Sequence, residues 1–139
     1  MSETDTTLAT LSADECRALL ITHRPRLGRL AFVAGEWPIV LPVNYALDGA
    51  AVYVRTAAGS KLDAAVRCDR VAFQIDHADE VWEEGWSVLA FGHLRIVDDP
   101  DELAHVRRLP LRPWASGDKP HYLCLEIRSL SGRRISFPA

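Results

Sequence analysis

The chain has 139 residues, of which 48% are hydrophobic and 25% charged, and its formal net charge is −3. This length suits one domain with its own core, and the acidic balance lacks the basic face that nucleic acid requires. No apolar run reaches the length of a membrane span, and the N-terminal MSETDTTLAT lacks the features of a signal peptide. We therefore expect a cytoplasmic protein with neither a nucleic-acid nor a membrane partner.

The cysteines give no sign of a disulfide framework or a metal site. Cys16, Cys68 and Cys124 are odd in number, lie far apart and form no CxxC or Cys/His spacing. Cys16 and Cys124 are expected to be small buried hydrophobic residues. A reactive thiol remains an alternative for each, and no metal ligand set is expected.

The N-terminal third predicts a tail, a helix and a strand. Residues 1–10 are polar and rich in threonine, so we expect a loose tail there, followed by a single domain over residues 11–139. Ser12 and Glu15 have capping-box spacing for a helix that ends near His23. His23 is interpreted as a helix-end residue rather than a catalytic one.

The next segments show the alternation that is typical of strands. Residues 28–33 and 38–46 are predicted as two strands around a turn at 34–36. Pro42 falls in the middle of the second strand. Because proline lacks a ladder N–H, this position predicts a sheet edge or a bulge.

The remaining chain predicts a mainly β protein. Residues 77–84 are expected to form an acidic loop, Gly92 a bend or bulge, and Asp99 the start of a helix. Residues 131–132 are expected to form a turn. The further strands are predicted at 71–76, 86–97, 122–127 and 133–137. Short strands with turn signals between them favour a small antiparallel barrel of about six to seven strands with three short helices.

One stretch, residues 42–61, concentrates phosphate-binding chemistry. Asp48-Gly49 predicts a hairpin turn, and the strand after it ends in Arg55-Thr56. Ser60 can cap a helix at about 60–67, directly before Lys61. A helix start with a guanidinium, hydroxyl groups and an ammonium favours a bound phosphate. The alternative is that the two cations are ordinary solvated charges and the serine is only a helix cap.

No set of catalytic side chains stands out. The acidic residues cluster at helix starts and in loops, and His93, His105 and His121 are scattered singly. Trp114 lies in a proline-rich loop, where it either anchors the loop or covers a ligand. Chemistry would therefore have to come from a bound cofactor.

A series of short motifs, taken in order, resembles the pyridoxamine 5′-phosphate oxidase-like family of flavin-binding split-barrel proteins, and in particular its short actinobacterial-type members. The resemblance spans roughly residues 10–137. The motifs are Gly28-Arg29-Leu30, Pro42-Val43-Asn44-Tyr45, Arg55-Thr56, Ser60-Lys61, Gly85-Trp86-Ser87-Val88, Leu111-Arg112-Pro113-Trp114 and Gly132-Arg133-Arg134-Ile135.

The resemblance implies a homodimer with FMN in the groove between its two chains. It implies that the backbone of Pro42, Val43 and Asn44 faces the isoalloxazine ring, and that the partner chain reaches the flavin with Trp86 and Ser87. It also implies that Trp114 walls the ring. The FMN phosphate would be held by Arg55, Thr56, Ser60 and Lys61.

Departures from the family pattern bear on the substrate. Authentic pyridoxamine phosphate oxidases have a basic residue where this chain has Val43, and their C-terminal arginine and histidine segment is not matched by residues 133–137. Oxidation of vitamin B6 is therefore not expected. The expected function is an FMN-dependent oxidoreductase with a small-molecule redox substrate. The alternatives are a non-enzymatic flavin, deazaflavin or haem binding or sensing protein, and a dimeric interaction module with a vestigial groove.

Overall fold

A computed structural model describes residues 7–56, 63, 65, 67, 70–111 and 121–136 of the chain. Within these ranges, seven strands and two helices have defined bounds. They are β1 (Thr7–Leu11), α1 (Ala13–Thr22), β2 (Leu27–Ala34), β3 (Trp37–Asp48), β4 (Ala51–Thr56), β5 (Arg70–Asp79), β6 (Glu84–Ile96), α2 (Pro100–Val106) and β7 (His121–Ser136).

The seven strands form one antiparallel sheet that closes on itself. Its order is β1-β7-β4-β3-β2-β5-β6, and β6 also pairs with β7, so that β2 to β7 complete a ring. One edge of β7 pairs with β4 over residues 121–126 and with β1 over residues 132–136. The predicted small antiparallel barrel is confirmed. Of the helix predicted at about 60–67, Asp63, Ala65 and Arg67 are described and are helical. Its other residues lie outside the described residues.

The barrel interior is filled by aromatic and branched side chains. Tyr45 and Phe73 are both buried and contact edge to face, with ring centroids 5.1 Å apart. The Tyr45 hydroxyl donates a hydrogen bond of 2.8 Å to the carbonyl of Leu20, which ties α1 to the barrel. Burial raises the pKa of Tyr45 to about 12, so this hydroxyl keeps its proton at neutral pH.

A second apolar cluster lies outside the ring, under α2. Val106 of α2 packs there with Tyr122 and Cys124 of β7. The Tyr53 hydroxyl donates to Glu102 Oε2 at 3.0 Å. Arg95 donates to both carboxylate oxygens of Glu102, at 2.7 and 2.8 Å. These bonds hold the helix against β4 and β6.

Several local predictions are confirmed. The Ser12 hydroxyl accepts from the Glu15 N–H at 3.1 Å, while the Glu15 carboxylate accepts from the Ser12 N–H at 3.0 Å. Gly35 and Gly49 both have positive φ, as the two hairpin turns require. The register between β6 and β7 shifts at Gly92, where a Cβ would collide with a carbonyl of β7.

Three segments differ from the sequence-based expectation. Residues 7–10 belong to β1 rather than to a loose tail, because they pair with the end of β7. Residues 77–79 extend β5 instead of forming a loop, because they pair with β6. The predicted turn at 131–132 lies inside β7, where Gly132 pairs with Leu11 on one side and Val88 on the other. For residues 7–10 and 131–132 a long-range strand pairing outweighs the local signal, and for residues 77–79 the hairpin pairing with β6 does so.

Gly132 is needed for packing rather than for a turn. A Cβ at this position would lie 2.7 Å from Cys16 Sγ and 2.9 Å from the carbonyl oxygen of Ser87. The absence of a side chain therefore lets α1 and β6 approach β7 closely. Cys16 and Cys124 are buried, as expected, while Cys68 lies outside the described residues. Among the residues with described structure, no helix is long and apolar enough to cross a membrane.

Gly132→Ala is expected to destabilise the protein, because the new methyl group must displace backbone and a buried thiol. Overpacking of this kind costs about 1–3 kcal/mol in the free energy of unfolding. Urea denaturation followed by circular dichroism measures the loss. Ser131→Ala, on the exposed face of the same strand, is the matched control and should leave the free energy unchanged. Equal stabilities of the two variants would contradict this packing role.

Candidate functional site

In the described part of the chain, the barrel has an open strand edge at the middle of β3. The ladder between β3 and β4 ends at the pair Tyr45 and Val54. On its other side, β3 continues to pair with β2 up to Trp37. Pro42 and Val43 therefore have a ladder partner on β2 but none on β4. The sheet splays here because β4 is only 6 residues long and β3 is 12.

Pro42 is tolerated at this edge because its missing N–H removes no hydrogen bond from the ladder between β2 and β3. The N–H of Tyr45 donates to the carbonyl of Arg26 at 3.1 Å, on the side of β2. Backbone groups alternate in direction along a strand, so the odd-numbered positions face β2 and Pro42 faces away from it. The predicted edge position of Pro42 is confirmed.

The end of β4 brings Arg55 near this edge. The Arg55 guanidinium carbon lies 5.6 Å from the ring centroid of Tyr122, its cross-strand partner on β7. Continuing the β3–β4 register places Asn44 opposite Arg55. Thr56 follows on the same strand, so its side chain points to the opposite face of the sheet. Ser60, Lys61 and Trp114 lie outside the described residues.

Trp86 and Ser87 lie at the start of β6, between the end of β5 and the end of β7. The Trp86 indole contacts His23 edge to face, with ring centroids 5.3 Å apart, and lies 6.3 Å from the ring of His77. Ser87 pairs with Asp76 of β5 on one side and Arg133 of β7 on the other.

A polar band crosses the outer surface of five neighbouring strands. Pro42 of β3 pairs with Arg29 of β2. The Arg29 guanidinium forms a 3.0 Å salt bridge with Asp76 of β5, which pairs with Ser87. We call this set the polar band; it comprises Pro42, Arg29, Asp76, Ser87 and Arg133.

Two cavities flank the polar band. The first, of about 350 Å³, is lined by α1-end residues His23 and Arg24, by Arg29 and Pro42, and by the end of β5. We call it the His23 cavity. The second, of about 480 Å³, is lined by side chains that include Trp86, Ser87 and Arg133. Both cavities share a wall formed by residues 76–78. Pro42 and Trp86, which the sequence analysis assigned to one site, therefore lie on adjoining cavities.

The surroundings of His23, at the end of α1, lower the pKa of its imidazole. Burial lowers the pKa of its imidazole below the ordinary value. The charges of His77, Arg24 and Arg29 lower that pKa further, while Asp76 opposes the change. His23 is therefore held in its neutral form at neutral pH, with one ring N–H donor and one acceptor.

An apolar face lies beside the polar band on the same outer surface. Val33, Val40 and Phe91 expose 60%, 59% and 48% of their surface there. The cross-strand row from Val40 through Ala31 and Ala72 to Phe91 is continuous. A cavity of about 660 Å³ opens on this face between β2, β5 and β6. We call it the apolar face.

Part of this arrangement was not predicted from the sequence. His23 was interpreted only as a helix end, and Asp76 and His77 fell at the boundary of a predicted loop. Arg29 and Arg133 occurred in the quoted motifs without an assigned role. Pairing of β5 with β2 and β6 brings these groups together, and that pairing has no local sequence signal. Within the described ranges, no cluster of histidine, cysteine or acidic side chains could hold a metal ion.

A closed antiparallel barrel with one splayed strand edge defines the class of small split-barrel proteins. Comparison with protein families makes the assignment specific. A sequence profile described as pyridoxamine 5′-phosphate oxidase matches residues 12–134. The chain therefore belongs to the pyridoxamine 5′-phosphate oxidase family.

Individual relatives resemble the chain over nearly its whole length. A Mycobacterium smegmatis structure, named as an FAD-binding protein, is 34% identical with a TM-score of 0.80, covering 93% of this chain and 99% of that one. An FAD-binding protein from Mesorhizobium loti is 26% identical with a TM-score of 0.77, covering 91% and 97%. An uncharacterized protein of Mycobacterium tuberculosis is 32% identical over 132 residues, covering 90% and 84%.

Trp86→Ala is expected to raise the pKa of His23 toward its ordinary value, because the imidazole loses the indole that shields it from water. A pH titration of the histidine ring signals by NMR measures this shift. Trp37→Ala removes an indole that is 71% exposed and far along β3, and should leave His23 unchanged. If His23 titrates identically in wild type and Trp86→Ala, the indole does not control its hydration.

Proposed function

We propose that this protein is a flavoprotein that binds FMN with the isoalloxazine ring against the open edge of β3. The observation that carries the proposal is the loss of the β3–β4 ladder at Pro42 and Val43. The Pro42 carbonyl faces away from β2 and has no ladder partner among the described residues, so it can hydrogen-bond the polar edge of a flavin. Relatives named as FAD-binding proteins share the fold and 26–34% of the sequence, which supports a flavin as the ligand.

The donor set near this edge fits the phosphate of a flavin. Arg55 lies at the end of β4, and its guanidinium is suited to bidentate phosphate binding. We propose that Ser60 and Lys61 complete the phosphate site with a hydroxyl group and an ammonium. Thr56, whose side chain lies on the opposite face of the sheet from Arg55, is assigned to this site by the family resemblance alone. Because FMN and FAD share this phosphate, the site accepts the FMN portion of either cofactor; we propose FMN as the bound form.

The apolar face supports a homodimer. Burying Val33, Val40 and Phe91 against a second copy would remove a continuous apolar row from water. In such a dimer, Trp86 and Ser87 of the partner would close the flavin groove, and Trp114 would wall the ring. Each protomer would then contribute to both flavin sites.

We propose that the protein acts as an oxidoreductase on a small-molecule redox substrate. When bound, the flavin would supply hydride and electron transfer, which the chain's own side chains do not provide. The chain would bind the phosphate, orient the ring with Pro42, Val43 and Asn44, and exclude water with Trp114. Val43 replaces the basic residue of authentic pyridoxamine phosphate oxidases, so a B6 phosphate is not the proposed substrate.

Arg55→Ala combined with Lys61→Ala should weaken FMN binding by about a hundredfold, because two charged hydrogen bonds to the phosphate are lost. Flavin fluorescence quenching on titration with the protein measures the dissociation constant. Arg107→Ala combined with Arg108→Ala removes the same charge from an exposed helix end and should bind like wild type. Full flavin retention by the first double variant would refute the phosphate site.

The molecule that copurifies with the wild-type protein, together with turnover assays, separates the proposed cofactor from its alternatives. The mass and visible spectrum of the molecule that copurifies distinguish FMN from FAD, deazaflavin and haem. Binding without any turnover with nicotinamide donors, quinones or oxygen would favour a storage or sensing protein. Protein that stays colourless after incubation with each cofactor would favour the interaction module.

Val40→Asp should convert the dimer to a monomer, because it places a charge on the apolar face, at the β3 end of its cross-strand row. Analytical ultracentrifugation over a range of protein concentrations measures the dimer dissociation constant. Val81→Asp is the matched control, since Val81 lies in the turn between β5 and β6 and is 85% exposed. A Val40→Asp variant that sediments like the control would place the dimer contact elsewhere.

A further inference from the structure

The His23 cavity combines fixed positive charge with a neutral imidazole. Among the described residues that line it, Arg24 and Arg29 carry guanidinium groups and Asp76 carries a carboxylate. The fixed charge of its lining is therefore positive. His77 adds a second imidazole to the wall.

Both guanidinium groups retain donors for a ligand. Arg24 uses Nη1 to donate to the carbonyls of Ile21 and His23, at 2.9 and 3.0 Å. Its other nitrogens have no partner in the described part of the chain. The Arg29–Asp76 pair is about half exposed on both sides, which makes it a weak and exchangeable contact. An arriving anion can therefore use either cation without breaking a buried ion pair.

His23 is held in place by its neighbours. The Trp86 indole packs edge to face on the imidazole, and the backbone N–H of His23 donates to the Leu19 carbonyl at 2.9 Å, at the C-terminal end of α1. With a lowered pKa, the neutral imidazole offers an N–H donor in a fixed position. A pocket with oriented donors and net positive charge is suited to an oxyanion.

The His23 cavity also adjoins both groups of residues that are proposed to contact the flavin, the open edge of β3 and the start of β6. Pro42, at the open edge of β3, lines the cavity itself. Trp86 contacts His23 directly and lines the neighbouring cavity across the shared wall. A ligand in the His23 cavity would therefore lie next to a flavin bound at Pro42 of the same protomer. It would equally lie next to a flavin whose phosphate the partner holds and which Trp86 covers.

We infer that the His23 cavity is the oxyanion subsite for the redox substrate, binding the carboxylate or phosphate of a small organic acid through His23, Arg24 and Arg29. This inference rests on the proposed function, because the flavin defines the reacting end of that substrate. The cavity volume of about 350 Å³ accommodates an acid of the size of benzoate. His23 is then a substrate-binding residue rather than only a helix end.

The test uses FMN-loaded wild-type protein and small aromatic probes, with histidine ring signals followed by NMR. Benzoate and phenyl phosphate represent the two oxyanions, and benzamide is their neutral counterpart. We expect benzoate or phenyl phosphate to shift the His23 signals saturably and to raise the pKa of His23, because a bound anion favours the imidazolium. Benzamide should bind at least about tenfold more weakly, because it cannot form the charged hydrogen bonds.

Variants locate the response. Arg29→Gln and His23→Gln should each weaken oxyanion binding by about tenfold, since each removes one donor from the site. In His23→Gln the ring signals of His77, which lines the same cavity, report binding. Arg29→Gln also leaves the Asp76 carboxylate unpaired. Arg24→Gln is therefore measured as well, because it removes a guanidinium group and leaves the Arg29–Asp76 pair intact. Arg26→Gln is the matched control: it removes the same charge two residues from Arg24, at a position that does not line the cavity.

The outcomes separate this inference from the proposed function. Equal binding of benzoate and benzamide, or equal effects of Arg29→Gln and Arg26→Gln, would overturn the oxyanion subsite while leaving flavin binding intact. Wild-type protein that retains no flavin would contradict the proposed function. In that flavin-free protein, a selective His23 response to benzoate would still support the subsite, and its absence would refute both.

Discussion

The unequal pairing of β3 is the constraint on which the rest of the account depends. β4 pairs with β7 along its whole length, but its ladder with β3 ends at Val54, while β3 continues along β2. The sheet must therefore open at Pro42 and Val43, and a proline is tolerated there because its nitrogen faces away from the remaining partner. The same splay places the Arg55 end of β4 beside the exposed edge. A binding groove thus follows from strand lengths and register, before any ligand is considered.

β7 makes this arrangement rigid by joining three strands. It pairs with β4 and β1 on one edge and with β6 on the other. Tyr122, beneath the Arg55 guanidinium, belongs to the cluster that α2 covers. At the other end of the strand, Gly132 lets α1 pack closely enough for His23 to meet Trp86. The two halves of the candidate site are therefore positioned by one strand, which is buried at residues 122–125 and at Gly132.

The sequence predicts those features that depend on neighbouring residues. The capping box at Ser12, the turn at Gly49 and the edge position of Pro42 follow from local chemistry and are confirmed. It fails where pairing partners are distant in the chain, as for residues 7–10 and for Gly132, whose turn-like composition serves close packing instead. The chemistry of His23 was missed for the same reason: its surroundings come from β5 and β6.

The central claim is that the open edge of β3 holds the ring of a flavin. A crystal structure of the protein grown with FMN tests it most directly. The account predicts isoalloxazine density against the backbone of Pro42 and Val43, with the phosphate at Arg55. Density for the flavin at any other surface, or an empty groove in crystals saturated with FMN, would contradict it.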